Sequence, residues 1–148
     1  MTTITETMHQ DHERCDILFA EVENAVSQKN WETADLSFAT FMHSMERHFS
    51  MEEQVLFPAF EQRTGSGGGP THVMRMEHQQ IRSILDEMKN SLAAQDEEGY
   101  LGESETLLMV MRQHNAKEEQ ILYPMSDQVL AMDVNTVLGE MQAAGEAE

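Results

Sequence analysis

The sequence predicts an all-α fold: an up-down-up-down four-helix bundle with an internal two-fold repeat and a short C-terminal fifth helix. Three observations predict it. Apolar residues recur at three- and four-residue spacing rather than at two. A Gly-rich run, RTGSGGGP at 63–70, interrupts the middle of the chain. The pattern before that run returns after it at a constant offset. The 148 residues form one domain over 1–148, with halves at about 6–62 and 71–130 and a linker at 63–70. A chain of that length with 40% hydrophobic residues can bury a core of its own, without disulfides.

Each helix follows from its stripe. Near 6–28, Met8, Cys15, Phe19, Val22 and Val26 share one face, with His12 among them. Near 32–62 the stripe is Phe38, Phe41, Met45, Phe49, Leu56 and Ala59. Near 71–94 it is Met74, His78, Ile81, Leu85, Met88 and Leu92, and near 103–130 it is Leu107, Met111, His114, Ile121, Leu122 and Met125. The breaks fall at Gln28-Lys29-Asn30, at 63–70, where Gly67-Gly68-Gly69-Pro70 cannot continue a helix, and from Asp96 to Gly102. The tail from Asp133 to Ala144 suits a short fifth helix, and the last residues from Gly145 are expected to fray.

The repeat is explicit. His48 opens HFSMEEQVLFP and His114 opens HNAKEEQILYP, 66 residues further on (114 − 48). The same offset relates His12 to His78, Asp11 to Glu77, Met8 to Met74 and Pro58 to Pro124. Each copy is a helix–turn–helix unit that cannot bury its stripe alone. Two copies packed about a pseudo-two-fold give the bundle. Each proline, shortly after a Glu, is expected to kink or break its helix at a matching place.

Composition excludes several functions. Nine basic against 27 acidic side chains leave a formal charge of −18 (9 − 27), the wrong sign for nucleic acid or an anionic membrane. The single cysteine, Cys15, rules out a disulfide scaffold and fits a reducing compartment. The N-terminus has no basic region followed by an apolar one, and no segment approaches the roughly 20 apolar residues of a spanning helix, so a cytoplasmic protein is expected.

The repeat also carries chemistry. Residues four apart lie on one helical face, so His48 and Glu52 point together, as do His114 and Glu118. All four lie on apolar stripes, where a His or Glu is costly unless something satisfies it. Closing the bundle brings His12, His48, His78 and His114 together with Glu52 and Glu118. Two metal ions answer the electrostatic problem, because each neutral imidazole offers a lone pair and each carboxylate can bridge. The donor set, imidazole plus carboxylate without thiolate, suits iron and, less distinctively, manganese or zinc. His9, His43 and His72 are not candidates: His9 has Arg75 as its repeat partner, His43 lies off the stripe, and His72 sits beside the Gly-rich break. Glu53 and Glu119 also repeat, but lie about 140° round from the histidines on an ideal helix and read as surface or supporting residues. Cys15 reads as a small core hydrophobe.

These motifs resemble the hemerythrin-like, or HHE cation-binding, domain family over about residues 8–130. The specific parts are HFSMEEQVLFP, Glu77-His78 and HNAKEEQILYP. The resemblance implies a non-haem di-iron centre with a bridging oxo or hydroxo group. His12, His48, His78 and His114 would be terminal ligands, Glu52 and Glu118 bridging carboxylates, with His12 paired to His48 and His78 to His114. It further implies a small ligand: dioxygen, nitric oxide or peroxide, bound or sensed at the centre. The alternatives are an enzyme that removes peroxide or reduces nitric oxide, and an iron storage or delivery protein. The oxygen-carrying members have a fifth His one turn before the third-helix His, where this chain has Met74. That departure counts against simple reversible oxygen carriage. Ferritin-like di-iron bundles are a poorer match, because the residues three before His48 and His114 are Met45 and Met111 rather than Glu.

Overall fold

The structure is a computed structural model and describes residues 2–65 and 69–147. All regular structure among the described residues is helical, with no strand. Helix α1 spans Ile4–Ser27, and Thr3 caps it by accepting from the Glu6 amide at 3.0 Å. The second rod comprises α2 (Trp31–Met51), a π-helical turn at Glu52–Leu56, and α3 (Phe57–Thr64), which ends on Gly65 at φ 71°. A left-handed residue there is best served by glycine. Helix α4 runs Pro70–Ala93, with proline in its first turn, where no donor is lost. The Gly67 and Gly68 of the expected break lie outside the described residues. The fourth rod comprises α5 (Glu97–Lys117), a second π turn at Glu118–Leu122, and α6 (Tyr123–Val129). Helix α7, Val134–Glu146, completes the chain.

Helices α1 and α2 pack as one hairpin and α4 and α5 as the other; α1 meets α5 and α2 meets α4 to close the bundle. Helix α7 lies against α2 and the first π turn. The repeat is visible in detail. Lys29 and Gln95 take the same left-handed conformation (φ 56° and 54°) in the two hairpin turns. The residue after each, Asn30 or Asp96, then caps the next helix. Thr5 and Thr71 each donate to a carboxylate, Asp127 or Glu61, at 2.6 Å.

Three expectations are corrected. The break placed from Asp96 to Gly102 instead falls at 94–96, and α5 starts at Glu97 because Asp96 Oδ1 accepts from the Gly99 amide. Helix α7 continues through Gly145 to Glu146, since Gly145 sits against Arg47 and Met51. Ile121 and Met125 are exposed rather than part of the core stripe. The π turns explain the last point. The Phe57 amide bonds to the Glu52 carbonyl and the Tyr123 amide to the Glu118 carbonyl, five residues back. One extra residue in the turn shifts every later position round the helix, so Phe57, Phe60 and Tyr123 turn inward. Pro58 and Pro124 follow at once and cannot donate to the preceding turn. The rods are therefore interrupted at matching places by wide turns, without breaking.

The core has two apolar layers. One, towards the hairpin turns, holds Phe19, Phe38, Phe41, Leu85 and Tyr100. The other, under α7, holds Ile4, Met8, Leu56, Phe60, Met74 and Met141. Between them lies a layer of buried histidines and carboxylates.

Candidate metal centre

Four rods supply the polar layer. His12 comes from α1, His48 and Glu52 from α2 and its π turn, His78 from α4, and His114 and Glu118 from α5 and its π turn. All six are buried, with Glu52, His78 and Glu118 at zero exposure. Their donor atoms form two overlapping groups: His12, His48 and Glu118 in one, and Glu52, His78, His114 and Glu118 in the other, each within 4.8 Å. The imidazole pairs are matched, His12–His48 at 4.7 Å and His78–His114 at 5.0 Å between ring centroids.

Within the layer, His78 Nε2 lies 3.0 Å from Glu52 Oε1, His12 Nε2 3.1 Å from Glu118 Oε1, and His114 Nε2 3.3 Å from Glu118 Oε1. Yet His48 Nε2, His78 Nε2, His114 Nε2, Glu52 Oε1 and Glu118 Oε2 have no hydrogen-bond partner. A buried polar atom without a partner costs on the order of 1–3 kcal/mol, and more if charged. Five in one layer are a large penalty for a protein to carry. Imidazole nitrogens and carboxylate oxygens at this spacing are a donor set that one or two cations would satisfy together.

The outer nitrogens are organised as strictly as the inner ones. His12 Nδ1 donates to Glu119 and His78 Nδ1 to Glu53, both at 2.6 Å, across the two halves. His48 Nδ1 donates to Asp11 at 2.6 Å and His114 Nδ1 to Glu77 at 2.8 Å, within each half. Each pair repeats at the 66-residue offset. A carboxylate on Nδ1 fixes the ring tautomer so that Nε2 aims its lone pair inward. Charged or polar groups hold these carboxylates in turn: Arg82 on Glu53, Lys117 on Glu77, Arg14 and Arg47 on Asp11, and His9 on Glu119.

The electrostatics follow. Burial pushes the His48 and His114 imidazoles down, but Glu52 and Glu118 outweigh it, holding His48 well above its usual range and His114 at about 9. Burial would raise Glu53, but its hydrogen bonds to His78 and Arg82 hold it at about 2. Glu118 stays well below the usual carboxylate range because His114 and the other imidazoles outweigh burial.

Tyr123 completes the layer. Its phenol oxygen lies 2.7 Å from Glu52 Oε2, 2.9 Å from Glu118 Oε1 and 3.4 Å from His12 Nε2, so it can donate to either carboxylate. Burial and both glutamates push its pKa well above the usual value. Sequence reasoning missed it because Tyr123 lies 140° from Glu118 on an ideal helix; the π turn brings the two onto one face. The signal was present as the Phe57-to-Tyr123 exchange between the copies. Glu53 and Glu119, which the sequence marks as surface or supporting residues, each hold a histidine of the other half, and Asp11 and Glu77, which only the repeat singles out, each hold one of their own half. His9, His43 and His72 are exposed and outside the layer, although His9 reaches Glu119. Cys15 is buried, 3.4 Å from the Ser44 hydroxyl.

No helix among the described residues is long and apolar enough to cross a membrane. The sequence is similar to an uncharacterized hemerythrin-like protein of Schizosaccharomyces pombe, with 27% identity over 121 residues. That alignment covers 81% of this chain and 57% of the relative, so the chain spans just over half of that protein's length. No solved structure matches the sequence. The family model described as the hemerythrin HHE cation binding domain matches residues 3–126. With that match over most of its length, and two buried His/Glu groups inside it, the chain belongs to the hemerythrin HHE cation-binding domain family.

Proposed function

We propose that the chain is a non-haem di-iron protein that binds or senses a small ligand: dioxygen, nitric oxide or peroxide. Its metal ligands are His12, His48, His78 and His114, with Glu52 and Glu118 bridging. The observation that supports this most is the set of five buried donor atoms with no hydrogen-bond partner, shared between two groups that meet at Glu118. A two-iron centre would supply redox chemistry and open coordination positions for the ligand. Such a centre would carry an oxo or hydroxo bridge between the ions that the two groups would hold.

The chain's own residues account for the rest. Asp11, Glu53, Glu77 and Glu119 orient the four imidazoles. Tyr123 holds Glu52 and Glu118 in register and presents a phenolic proton at the layer. The apolar layers above and below keep bulk water out. Among the described residues the outer carboxylates are all engaged by the imidazoles, which leaves Tyr123 as the group with a proton to offer at the layer. A cytoplasmic setting fits the reduced, buried Cys15. Visible spectra of the iron-loaded, reduced protein, before and after exposure to air and to nitric oxide, test this reading. New charge-transfer bands support it; a spectrum unchanged by either gas contradicts it.

A further inference from the structure

The internal two-fold preserves the inner donors but not what covers them. His78 lies between two phenylalanine rings, Phe49 at 4.0 Å and Phe57 at 5.6 Å between centroids. At the equivalent positions 66 residues on stand Asn115 and Tyr123. Over Phe49 lies the Arg82 guanidinium, 4.9 Å from the ring centroid, held by Glu46 at 3.0 Å and Glu53 at 2.9 Å. The opposite flank has the charges exchanged: Asp16 stands at the position of Arg82, and Arg112 at that of Glu46.

The cover differs accordingly. Asp16 and Arg112 line a groove of about 510 Å³ between α1 and α5, together with His12, Met111, Asn115 and Glu119. His12, Met111 and Asn115 also line a small cavity of about 10 Å³ that reaches His48 and His114 and is lined as well by Phe49 and Ile81. The Nε2 atoms of those two histidines are among the buried atoms without a hydrogen-bond partner. Asn115 is half-buried and, with His12 and Met111, lines both the groove and the cavity. A volume near 10 Å³ is about one water, and the thioethers of Met45 and Met111 beside it are the side chains best able to yield to a molecule of two heavy atoms. The groove also carries Glu13 and Glu23, so carboxylates outnumber Arg112 and His9 and an anion is repelled at its mouth.

We infer that small uncharged ligands enter the centre from the α1–α5 groove past Asn115, and that the α2–α4 flank is closed by Phe49 under Arg82. This rests on the proposed metal centre, but it concerns the route rather than the metal. The experiment is stopped-flow association of nitric oxide with the reduced, iron-loaded full chain, alongside iron content by elemental analysis. Two variants copy the closed flank onto the open one: N115F at the half-buried wall shared by groove and cavity, and the exchange D16R/R112E on exposed residues. Each should keep its iron and slow association by about tenfold or more, because access limits the on-rate. Adding F49N to the exchanged variant should restore part of the rate by opening the second flank. Unchanged association in both iron-replete variants overturns the route. A parent chain that takes up no iron, or does not bind nitric oxide, overturns the metal-centre reading before any variant is compared.

Discussion

The histidine–carboxylate layer and the apolar layers on either side are built from the same helices on opposite terms. Around Phe41 each side chain is satisfied by its neighbours, and the cluster is complete as it stands. Around Glu118 five donor atoms have no hydrogen-bond partner, although every outer nitrogen has one. The difference teaches that the apolar layers hold the bundle together, whereas the polar layer is organised for something that is not protein. It is fixed from outside, through Nδ1, while most of its inner nitrogens lack a hydrogen bond.

The largest expected effects separate the two regions. Glu118→Ala should remove most of the bound metal, because it takes a donor from both groups. Phe41→Ala should cost about 3–5 kcal/mol in denaturant unfolding, equally with and without metal, and leave the metal content intact. Metal analysis and unfolding of both variants check this; metal loss from Phe41→Ala would break the distinction.

Next in size is the response to pH of the metal-stripped protein. His114 has a folded pKa of about 9 against an ordinary 6.5, and His48 and His78 are shifted the same way. A raised pKa gives stability that is fully present below pH 6.5 and is lost as pH rises through about 9. For His114 this is on the order of 3 kcal/mol. The stripped protein should therefore weaken between pH 6.5 and 9.5. The metal-loaded protein should not follow, because coordination keeps the imidazoles neutral throughout. Parallel melting curves for the two forms across that window would contradict the assignment.

Smaller effects are expected from the outer carboxylates. Glu53→Gln and Glu119→Gln should each weaken metal binding by about 10–100-fold, with the metal number unchanged at saturation. Competition with a chelator measures this. The smallest effect belongs to the hairpin turns: Lys29→Gly and Gln95→Gly should each stabilise the fold by about 1 kcal/mol by relieving left-handed strain, with no change in metal affinity.

Much of this was legible in the sequence. The offset linking His48 to His114 also links His12 to His78 and Glu52 to Glu118, and stripe positions gave their common direction. The fold followed from the same spacing and from the break at 63–70. What escaped has one main physical cause. The π turns at Glu52–Leu56 and Glu118–Leu122 add a residue to one turn of helix, and an ideal 3.6-residue period cannot anticipate that. Extrapolating through them put Ile121 and Met125 inside and left Tyr123 out. Glu53 and Glu119 read as surface or supporting residues, but which histidine each supports was not legible, for another reason. Each serves a histidine of the other half, and such a contact follows from how the halves pack rather than from spacing within one. The break expected from Asp96 to Gly102 closes for a local reason: Asp96 is a good N-cap, and the helix it starts runs through Gly99 and Gly102.

We propose that one layer holds two ions through four histidines and two glutamates, of which Glu118 belongs to both donor groups. Titrating the metal-free chain with ferrous iron under anaerobic conditions, and counting bound iron per chain, tests it most directly. The account predicts saturation at two irons per chain, falling well below that in Glu118→Ala but unchanged in His43→Ala and His72→Ala. Saturation at one iron, or equal losses from all three variants, would contradict it.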